Sequence, residues 1–444
     1  MKQRAVRIPT PLLVVVPTAV AAIANLLWIG RQSLWQDEGF TAQMVTGPWS
    51  QFWTQIFTYS EGNMVGYYLL LRVWPFHDSE AGLRSFSALA IIASVPVIFW
   101  IGRELGNRAA GWWAASFFAV WLFIVRYGQE ARSYGLLILI TTAATAMLLK
   151  ATRTNGRRWW IVYGVLLGLS LYVHMFAALM ILPHAAWIAL KRPPIRRVIL
   201  ALMVAGFTAA PMVLYLALNL GSTRLDWVPR PTLGSLWSDV LQPMAGYSNY
   251  MAGALTLAVL GLAVVALLRT RSELPAFTLL VTWASAPLLV ALAYSLLAHP
   301  VLEAHFIIEI IPAWVLLLGI AISRIPIRVA SVVAGIVVLA ICGRSMERFY
   351  TGFLKPEIRE AAALVSVETR PGDVEMGLSG MQPALDYYWR DAQRPAAGTT
   401  GARLWIIASS DPEPPQDVAS GWQLLWRKDL YQVAVALYVP AGGH

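Results

Sequence analysis

Residues 134–149 read YGLLILITTAATAMLL, a run without a single charged side chain. A helix needs about 20 apolar residues to cross the hydrocarbon core of a bilayer, and interfacial aromatic residues at its ends can extend it. A polar stretch at 127–133 (YGQEARS) precedes the run, and a basic stretch from Lys150 to Arg158 follows it. Because basic loops stay on the cytoplasmic side, the pattern predicts a spanning helix whose C-terminal end faces the cytoplasm.

Similar apolar runs recur along the whole chain. We count about eleven, near residues 11–29, 83–102, 109–125, 134–149, 159–173, 175–190, 197–219, 249–268, 275–297, 305–323 and 327–343. Of the 444 residues, 58% are hydrophobic and only 13% are charged, about half of the usual charged fraction. This composition excludes intrinsic disorder and predicts an all-α polytopic membrane protein. The single cysteine, Cys342, excludes an intrachain disulfide and a cysteine-based zinc site.

The distribution of basic residues predicts the orientation. If the N-terminus is cytoplasmic and the spans alternate, the cytoplasmic segments hold 17 Lys and Arg, against seven in the outer loops before residue 344. This is the bias expected of a multi-pass protein of the plasma (inner) membrane, and it explains the pI of about 9.8 without a nucleic-acid partner. An odd number of spans places the C-terminal segment in the extracytoplasmic space.

Three regions interrupt the pattern of spans, and one of them is the loop 221–248, where the prolines of residues 227–231 (WVPRP) exclude a continuous helix. Residues 31–82 form a long outer loop, in which apolar stripes around Trp49–Phe57 and Val65–Phe76 are too short to span and predict interfacial helices. The segment 344–444 holds 12 of the 24 acidic residues, with a predicted helix at 357–369 and predicted strands at 374–378, 404–408 and 432–439. We therefore predict a transmembrane domain at 1–343 and a small extracytoplasmic α/β domain at 344–444.

Ionisable residues gather at the outer ends of the predicted spans. They come from separate loops and include Asp37, Glu38, Glu61, Arg84, Glu130, Arg132, His174, Glu303 and His305. The cytoplasmic side offers only basic clusters of the kind that set topology. Because charged groups are costly near a bilayer, this grouping predicts an active site that faces outward.

Each of these residues, taken singly, also has an ordinary explanation. The pair Asp37–Glu38 could bind a metal, act as a base or be solvated. Glu61 could favour a helix N-terminus, and Glu130 could pair with Arg132, although arginine is also well suited to bind phosphate. His174 and His305 could each be structural histidines whose hydrogen bonds are satisfied within the protein.

The order of the motifs resembles a known family. The resemblance rests on residues 34–40 (LWQDEGF), 63–74 (NMVGYYLLLRVW), 83–89 (LRSFSAL), 127–134 (YGQEARSY) and 171–176 (LYVHMF). These segments are similar to those of integral-membrane glycosyltransferases of the GT-C fold, specifically the glycosyltransferase family 39 group. That group includes dolichyl-phosphate-mannose protein mannosyltransferases and lipid A aminoarabinose transferases.

Two segments depart from that family's pattern. Many relatives have His-Pro-Pro-Leu-Tyr-Tyr where this chain has residues 63–68 (NMVGYY), and many have an Arg-Phe or Arg-Tyr pair where this chain has His305–Phe306 ahead of Pro312. If that arginine holds a lipid phosphate in the relatives, His305 would do so only when protonated.

The resemblance implies a GT-C membrane domain of about 11 transmembrane helices and an inverting transfer of one sugar, mannose by default. The donor would be a polyprenyl-phosphate sugar, and the acceptor a glycolipid, polysaccharide or protein of the cell envelope. It implies Asp37 and Glu38 as catalytic carboxylates, with Asp37 favoured as general base. The implied phosphate-binding or substrate-binding residues are Arg84, Glu130, Arg132, His305, Glu61 and His174.

The sequence leaves open the cofactor and two alternative functions. No cofactor is certain, but a divalent cation is possible, although Asp37–Glu38 lacks the D-x-D spacing of many metal-using transferases. A ligase or polymerase that uses a lipid-pyrophosphate oligosaccharide is one alternative. A flippase for a lipid-linked sugar is another, and it would need polar residues near the bilayer midplane.

Overall fold

The computed structural model describes residues 10–58, 62–219, 227–246, 274–352, 355–377, 380–390, 392, 394–409, 413 and 421–441. The chain divides into two compact units. The first, here the helical unit, comprises Met1–Leu27, Trp53–Tyr67 and Phe86–Arg348. The second, here the mixed unit, comprises Trp28–Phe52, Tyr68–Ser85 and Phe349–His444.

The chain is mainly helical before residue 352 and mixed thereafter. In chain order, the principal elements are α1 (Thr10–Leu26), α2 (Gln36–Thr46), α3 (Trp49–Thr58), α4 (Val65–Arg72), α5 (Glu80–Leu105), α6 (Arg108–Ala119), α7 (Leu122–Gly128), α8 (Tyr134–Thr154), α9 (Arg157–Ser170), α10 (Ile181–Lys191), α11 (Ile195–Leu218), α12 (Leu274–Leu297), α13 (Ile311–Ser323), α14 (Arg328–Thr351), α15 (Ile358–Glu368), β1 (Val374–Gly377), α16 (Gln382–Trp389), β2 (Ala396–Ala397), β3 (Leu404–Ala408), β4 (Trp422–Leu430) and β5 (Val433–Pro440). Short 3₁₀ turns precede α4, α10 and α13, and a π-helical turn covers Leu236–Leu241.

The apolar runs of the sequence coincide with helices. Ten of the predicted spans lie in the described residues, and each matches a helix or two successive helical segments. In that part of the chain, six helices are long and apolar enough to cross a membrane, or seven if α6 and α7, which bend by 57°, form one span. The run near 249–268 lies outside the described residues, so the predicted total of about eleven stays a prediction.

A side-chain hydrogen bond accompanies the bend between α6 and α7. Helix α6 ends at Ala119 with Val120 as its C-cap, and Trp121 adopts an extended backbone conformation before α7 begins. The buried indole of Trp121 donates a hydrogen bond of 2.7 Å to the backbone oxygen of Met244.

A polar triad joins three helices of the helical unit. Thr145 on α8 donates its hydroxyl proton to the Thr141 carbonyl (2.9 Å), so its oxygen must accept from His184 Nε2 at 3.0 Å. The other ring nitrogen, Nδ1, then accepts from the Tyr163 hydroxyl at 3.2 Å. The bonds thereby assign the ring proton of His184 to Nε2. All three side chains are buried, so the triad links α8, α9 and α10 through satisfied polar groups.

The mixed unit contains a five-stranded sheet with the strand order β2-β1-β3-β5-β4. Strand β1 runs parallel to β2 and β3, whereas β5 is antiparallel to β3 and β4. Helices α15 and α16 cover one face, where Val365, Leu385 and Trp389 pack against Trp405 and Val435. Successive side chains of β3 and β5 point to opposite faces of the sheet, so Trp405 and Val435 meet the helices, whereas Leu404 and Ala436 pack in a separate cluster.

The tail agrees in outline with the prediction but is more complex. Helix α15 and strands β1, β3 and β5 lie where a helix and three strands were predicted, whereas α16, β2 and β4 were not predicted. The mixed unit also takes in Trp28–Phe52 and Tyr68–Ser85, which the predicted boundary assigned to the transmembrane domain. The two ends of the predicted outer loop are therefore part of the same compact unit as the tail, whereas its middle, Trp53–Tyr67, belongs to the helical unit.

Candidate functional site

Two neighbouring carboxylates lie in the first turn of α2. Helix α2 begins at Gln36, and the Trp35 backbone N–H donates to Glu38 Oε2 at 3.4 Å. Acidic residues are favoured in a first turn because they face the partial positive charge of the helix N-terminus. The two carboxylates differ in environment, since Glu38 is fully buried and Asp37 is half-buried.

Glu38 is held in a buried ion cluster with Arg84 and Lys355. Arg84 Nε and Nη2 bind Glu38 Oε1 and Oε2 at 2.7 and 2.8 Å, the bidentate geometry that guanidinium and carboxylate favour. Lys355 Nζ reaches Glu38 Oε2 at 2.8 Å. The cluster lies entirely within the mixed unit.

Arg84 directs all of its N–H groups into the protein. Besides the two bonds to Glu38, it donates to the backbone oxygens of Ile29 (2.9 Å), Gln32 (2.8 Å) and Ser33 (2.9 Å). A guanidinium has five N–H donors, so none is left for a phosphate while this network is intact. The geometry therefore favours a positioning role for Arg84 over the phosphate-binding role that the sequence predicted.

Lys355 was not singled out in the sequence. It follows α14 and lies 317 residues from Glu38, so no local motif connects the two. Burial alone would raise the pKa of Glu38, but the charges of Arg84 and Lys355 and their hydrogen bonds lower it to about 2. A carboxylate that stays charged in such a network is a poor proton acceptor at neutral pH.

The motif at 127–134 forms the second set of predicted site residues, in the helical unit. Gln129 donates from Nε2 to the carbonyl oxygens of Ala24 (3.0 Å) and Leu27 (3.2 Å), which fixes the motif against the end of α1. A Cβ on Gly128 would overlap Asn25 Oδ1, so a larger residue there would have to displace the Asn25 side chain. The buried Glu130 pairs with Arg126 one turn earlier, at 3.6 Å.

The backbone of Arg132 is fixed from two sides. Its N–H donates to the Glu130 carbonyl at 2.8 Å, and its own carbonyl accepts from the Ser87 hydroxyl at 2.8 Å. Ser87 is also 3.0 Å from the Tyr67 hydroxyl. The side chain of Arg132 is half-buried. A cation on a fixed backbone is well placed for electrostatic binding of an anion.

Aromatic rings surround the two predicted histidines. This ring cluster consists of Tyr127, Tyr134, His174, His305 and Phe306. The His305 ring stacks on Tyr127 with centroids 5.7 Å apart and meets the edges of Tyr134 (5.2 Å) and Phe306 (4.6 Å). The His174 ring lies 5.9 Å from Tyr134 and 5.5 Å from Phe306. The cluster thus brings together the two histidines that the sequence placed on different spans.

Arg132 lies within electrostatic range of both histidines. His174 Nδ1 accepts the backbone N–H of Phe176 at 3.3 Å, which requires that nitrogen to be unprotonated. The permanent positive charge that acts on both histidines is therefore that of Arg132.

The predicted site residues fall into two groups. The mixed unit holds Asp37, Glu38 and Arg84, whereas the helical unit holds Glu130, Arg132, His174 and His305. Glu61 lies outside the described residues. Within the described part of the chain, no three His, Cys, Asp or Glu side chains group as metal ligands would.

Comparison with known proteins gives one family match by sequence. The model described as dolichyl-phosphate-mannose-protein mannosyltransferase matches residues 62–219. That segment includes the motif at 127–134 as well as Arg84 and His174. No protein of curated function matches the chain.

Solved structures resemble the chain over nearly its full length. ArnT from Cupriavidus metallidurans in the apo state has a TM-score of 0.63 at 13% identity, covering 96% of this chain and 98% of ArnT. The same protein bound to undecaprenyl phosphate gives 0.58 at 14% identity, with 97% and 98% covered. The Archaeoglobus fulgidus oligosaccharyltransferase in the apo form gives 0.56 at 12% identity, covering 88% of this chain and 65% of that one.

These likenesses show the fold. The chain has the GT-C fold of integral-membrane glycosyltransferases, with a small C-terminal sheet domain, which confirms the predicted fold class. The apolar helices and these likenesses together establish a membrane protein.

Proposed function

We propose that the protein is a glycosyltransferase that moves one sugar, mannose in the first instance, from a polyprenyl-phosphate donor to an acceptor on the outer face of the plasma membrane. The GT-C fold and the family match at residues 62–219 support this proposal. The similar ArnT structure contains undecaprenyl phosphate, a lipid phosphate of the proposed kind. The observation that carries the proposal for this chain is the contrast between Asp37, which is half-buried, and Glu38, which is fixed in an ion cluster.

In this proposal Asp37 is the general base. The acceptor hydroxyl oxygen attacks the anomeric carbon of the donor sugar, and its proton passes to the Asp37 carboxylate. The bond from that carbon to the phosphate oxygen breaks, so polyprenyl phosphate leaves with the electron pair and the anomeric centre inverts. Glu38 holds the first turn of α2 through Arg84 and Lys355 and takes no proton.

Arg132 is the proposed ligand of the donor phosphate. Its fixed backbone and half-buried guanidinium support this role, because a planar fork can bind two phosphate oxygens at once. Glu130, His174 and His305 are proposed to shape the surroundings of Arg132 and to contact substrate. Glu61 remains a proposed substrate-binding residue from the sequence, as a divalent cation remains a possible cofactor.

The proposed orientation follows the distribution of basic residues. The N-terminus lies in the cytoplasm and the C-terminal segment outside, in the space where the acceptor glycolipid, polysaccharide or protein is found. The split of 17 against seven basic residues supports this arrangement.

A donor panel tests the proposal. Purified protein is incubated with defined polyprenyl-phosphate sugars and candidate acceptors, and release of free polyprenyl phosphate is measured. We expect release with a monosaccharide donor. Release only from a lipid-pyrophosphate oligosaccharide would identify a ligase or polymerase instead. Movement of an intact lipid-linked sugar across vesicles, without release, would identify a flippase.

The phosphate role of Arg132 is tested by donor binding. Arg132→Lys keeps the charge but loses the bidentate fork, so donor binding should weaken, and Arg132→Ala should weaken it further. Arg230→Ala is the matched control, because Arg230 is an exposed arginine of another loop. Donor affinity that is unchanged in Arg132→Ala would remove Arg132 from the site.

A further inference from the structure

The C-terminal part of the mixed unit packs directly on the helix that carries Asp37. A Cβ on Gly39 of α2 would come within 2.5 Å of Ala384 Cα and 2.8 Å of Ala384 Cβ on α16. Contact this close requires glycine on α2 and a small residue opposite. From the same helix, the Tyr388 hydroxyl accepts the Leu34 backbone N–H at 2.6 Å, just before α2 begins.

Charged side chains from the segment around the start of α15 hold the residues next to α2. Glu360 Oε2 accepts the Ser33 hydroxyl at 2.9 Å. Arg359 pairs with Glu80 at 2.7 Å and also donates to the Gly30 carbonyl at 3.3 Å. These contacts join the chain before α2 and the start of α5 to residues 279 to 329 positions later.

Lys355 makes the contact nearest to the proposed chemistry. Its backbone N–H donates to Gln32 Oε1 at 3.0 Å and its Nζ to Glu38 Oε2 at 2.8 Å. The Glu38 carboxylate is fully buried, so it depends on charged donors to offset its lost hydration. Arg84 donates to it from α5 with two N–H groups, and Lys355 donates to it from the C-terminal segment.

We infer that the C-terminal segment is a positioning device for the proposed base, in which Lys355 and α16 hold the first turn of α2 so that Asp37 is correctly placed. Lys355 acts through Glu38 and touches no substrate. The inference rests on the proposed function, and it gives the C-terminal domain a part in the transfer step itself.

The central test compares kcat with the donor KM. Lys355→Met removes the charge at similar length, so the Glu38 carboxylate in the turn that carries Asp37 loses the cation of Lys355. A displacement of about 1 Å can cost on the order of 10²-fold in rate. We expect kcat to fall by that order while the donor KM stays within about twofold, and Lys355→Arg, which retains a charged donor, to recover most of the loss. Lys428→Met is the matched control, since Lys428 is exposed on β4, and we expect it to behave as wild type.

Two further measurements keep the inference open to refutation if Lys355→Met does not fold. Tyr388→Phe removes one hydroxyl and should give the same kcat-selective loss. Gly39→Ala should loosen α2, seen as faster amide hydrogen exchange over residues 36–46, whereas Gly206→Ala, where a Cβ meets nothing within 4 Å, should not.

The outcomes separate the inference from the proposed function. Wild-type protein that releases no polyprenyl phosphate from any donor would defeat the proposed function, while the exchange measurement still tests the packing of α2. Active wild-type protein with unchanged kcat in both Lys355→Met and Tyr388→Phe would overturn the inference alone. If Lys355→Met raises the donor KM and leaves kcat unchanged, the inference is also overturned, because Lys355 would then act in donor binding.

Discussion

Two adjacent acids, Asp37 and Glu38, show how environment divides roles between chemically similar side chains. Successive residues on a helix point in directions about 100° apart, so one can be buried while the other is accessible. Glu38 points into the ion cluster and is fully buried, whereas Asp37 is half-buried. The sequence could favour Asp37 only through the family resemblance, because the partner that engages Glu38 alongside Arg84 is Lys355, 317 residues away.

Replacing Asp37 tests the assignment of the base. Asp37→Asn keeps the shape and removes the proton acceptor, and positioned acid–base catalysis is worth about 10²–10⁴-fold. We expect turnover to fall by about that factor while donor binding is retained, as measured by single-turnover transfer and by lipid-phosphate binding. Near-normal turnover in Asp37→Asn, with a folded but inactive Glu38→Gln protein, would show that the other carboxylate is the base.

The ion cluster also predicts how stability depends on pH. The pKa of Glu38 falls from 4.5 to about 2 on folding, so its contribution is fully present above pH 4.5 and is lost as the pH drops towards 2. The groups that face it, Arg84 and Lys355, stay charged throughout. Thermal unfolding of wild type and Glu38→Gln should therefore differ strongly at pH 7, and the difference should shrink between about pH 4.5 and pH 2. A difference in unfolding temperature between the two proteins that stays the same from pH 7 to pH 2 would contradict the ion pairing of Glu38.

At the scale of secondary-structure elements, the sequence predicts the helices and strands that carry a periodic apolar pattern. It misses the elements that depend on tertiary contacts. Helix α8 and strand β3 lie where the apolar patterns placed them. Strand β4 was missed because it lies at the edge of the sheet and its side chains are largely exposed, so no buried face marks it. Helix α16 was missed because eight residues that start beside a proline give too short a pattern, and packing completes it.

In the candidate site, too, the sequence predicts contiguous motifs and misses contacts between distant segments. The motif at 127–134 was recognisable because its residues are contiguous, and the structure adds that Gln129 and Ser87 hold it in place. The ring cluster was not predictable, since it brings Tyr127 together with His174 and His305 from separate helical segments. Pairing between distant segments has no local signal in one sequence.

The triad of Thr145, Tyr163 and His184 gives a prediction at this scale. Polar contacts between membrane helices are worth about 0.6 kcal/mol on average and up to about 2. In a double-mutant cycle of His184→Leu and Tyr163→Phe, measured by thermal unfolding in detergent, we expect a favourable coupling energy of that size. The two single variants should lose stability without a change in donor binding. Strictly additive effects would show that the 3.2 Å contact contributes nothing.

At the scale of the whole molecule, the division into two units changes the domain to which most of the predicted outer loop is assigned. The sequence assigns the predicted outer loop at 31–82 to the transmembrane domain. In the structure, Trp28–Phe52 and Tyr68–Ser85 form one compact unit with Phe349–His444. Hydropathy cannot show this association, because it reports apolarity along the chain and not the partners of a loop. The C-terminal segment is therefore part of the compact unit that contains Asp37.

Orientation in the membrane is the last prediction, and it concerns the chain as a whole. The split of 17 against seven basic residues predicts that Asn155, between α8 and α9, faces the cytoplasm and that Lys428 on β4 faces outward. In a Cys342→Ser background, Asn155→Cys and Lys428→Cys are treated in intact cells with a membrane-impermeant maleimide. We expect labelling at position 428 at once, and at position 155 only after permeabilisation. Labelling of both in intact cells would refute the threading, and with it the placement of the proposed sugar transfer on the outer face.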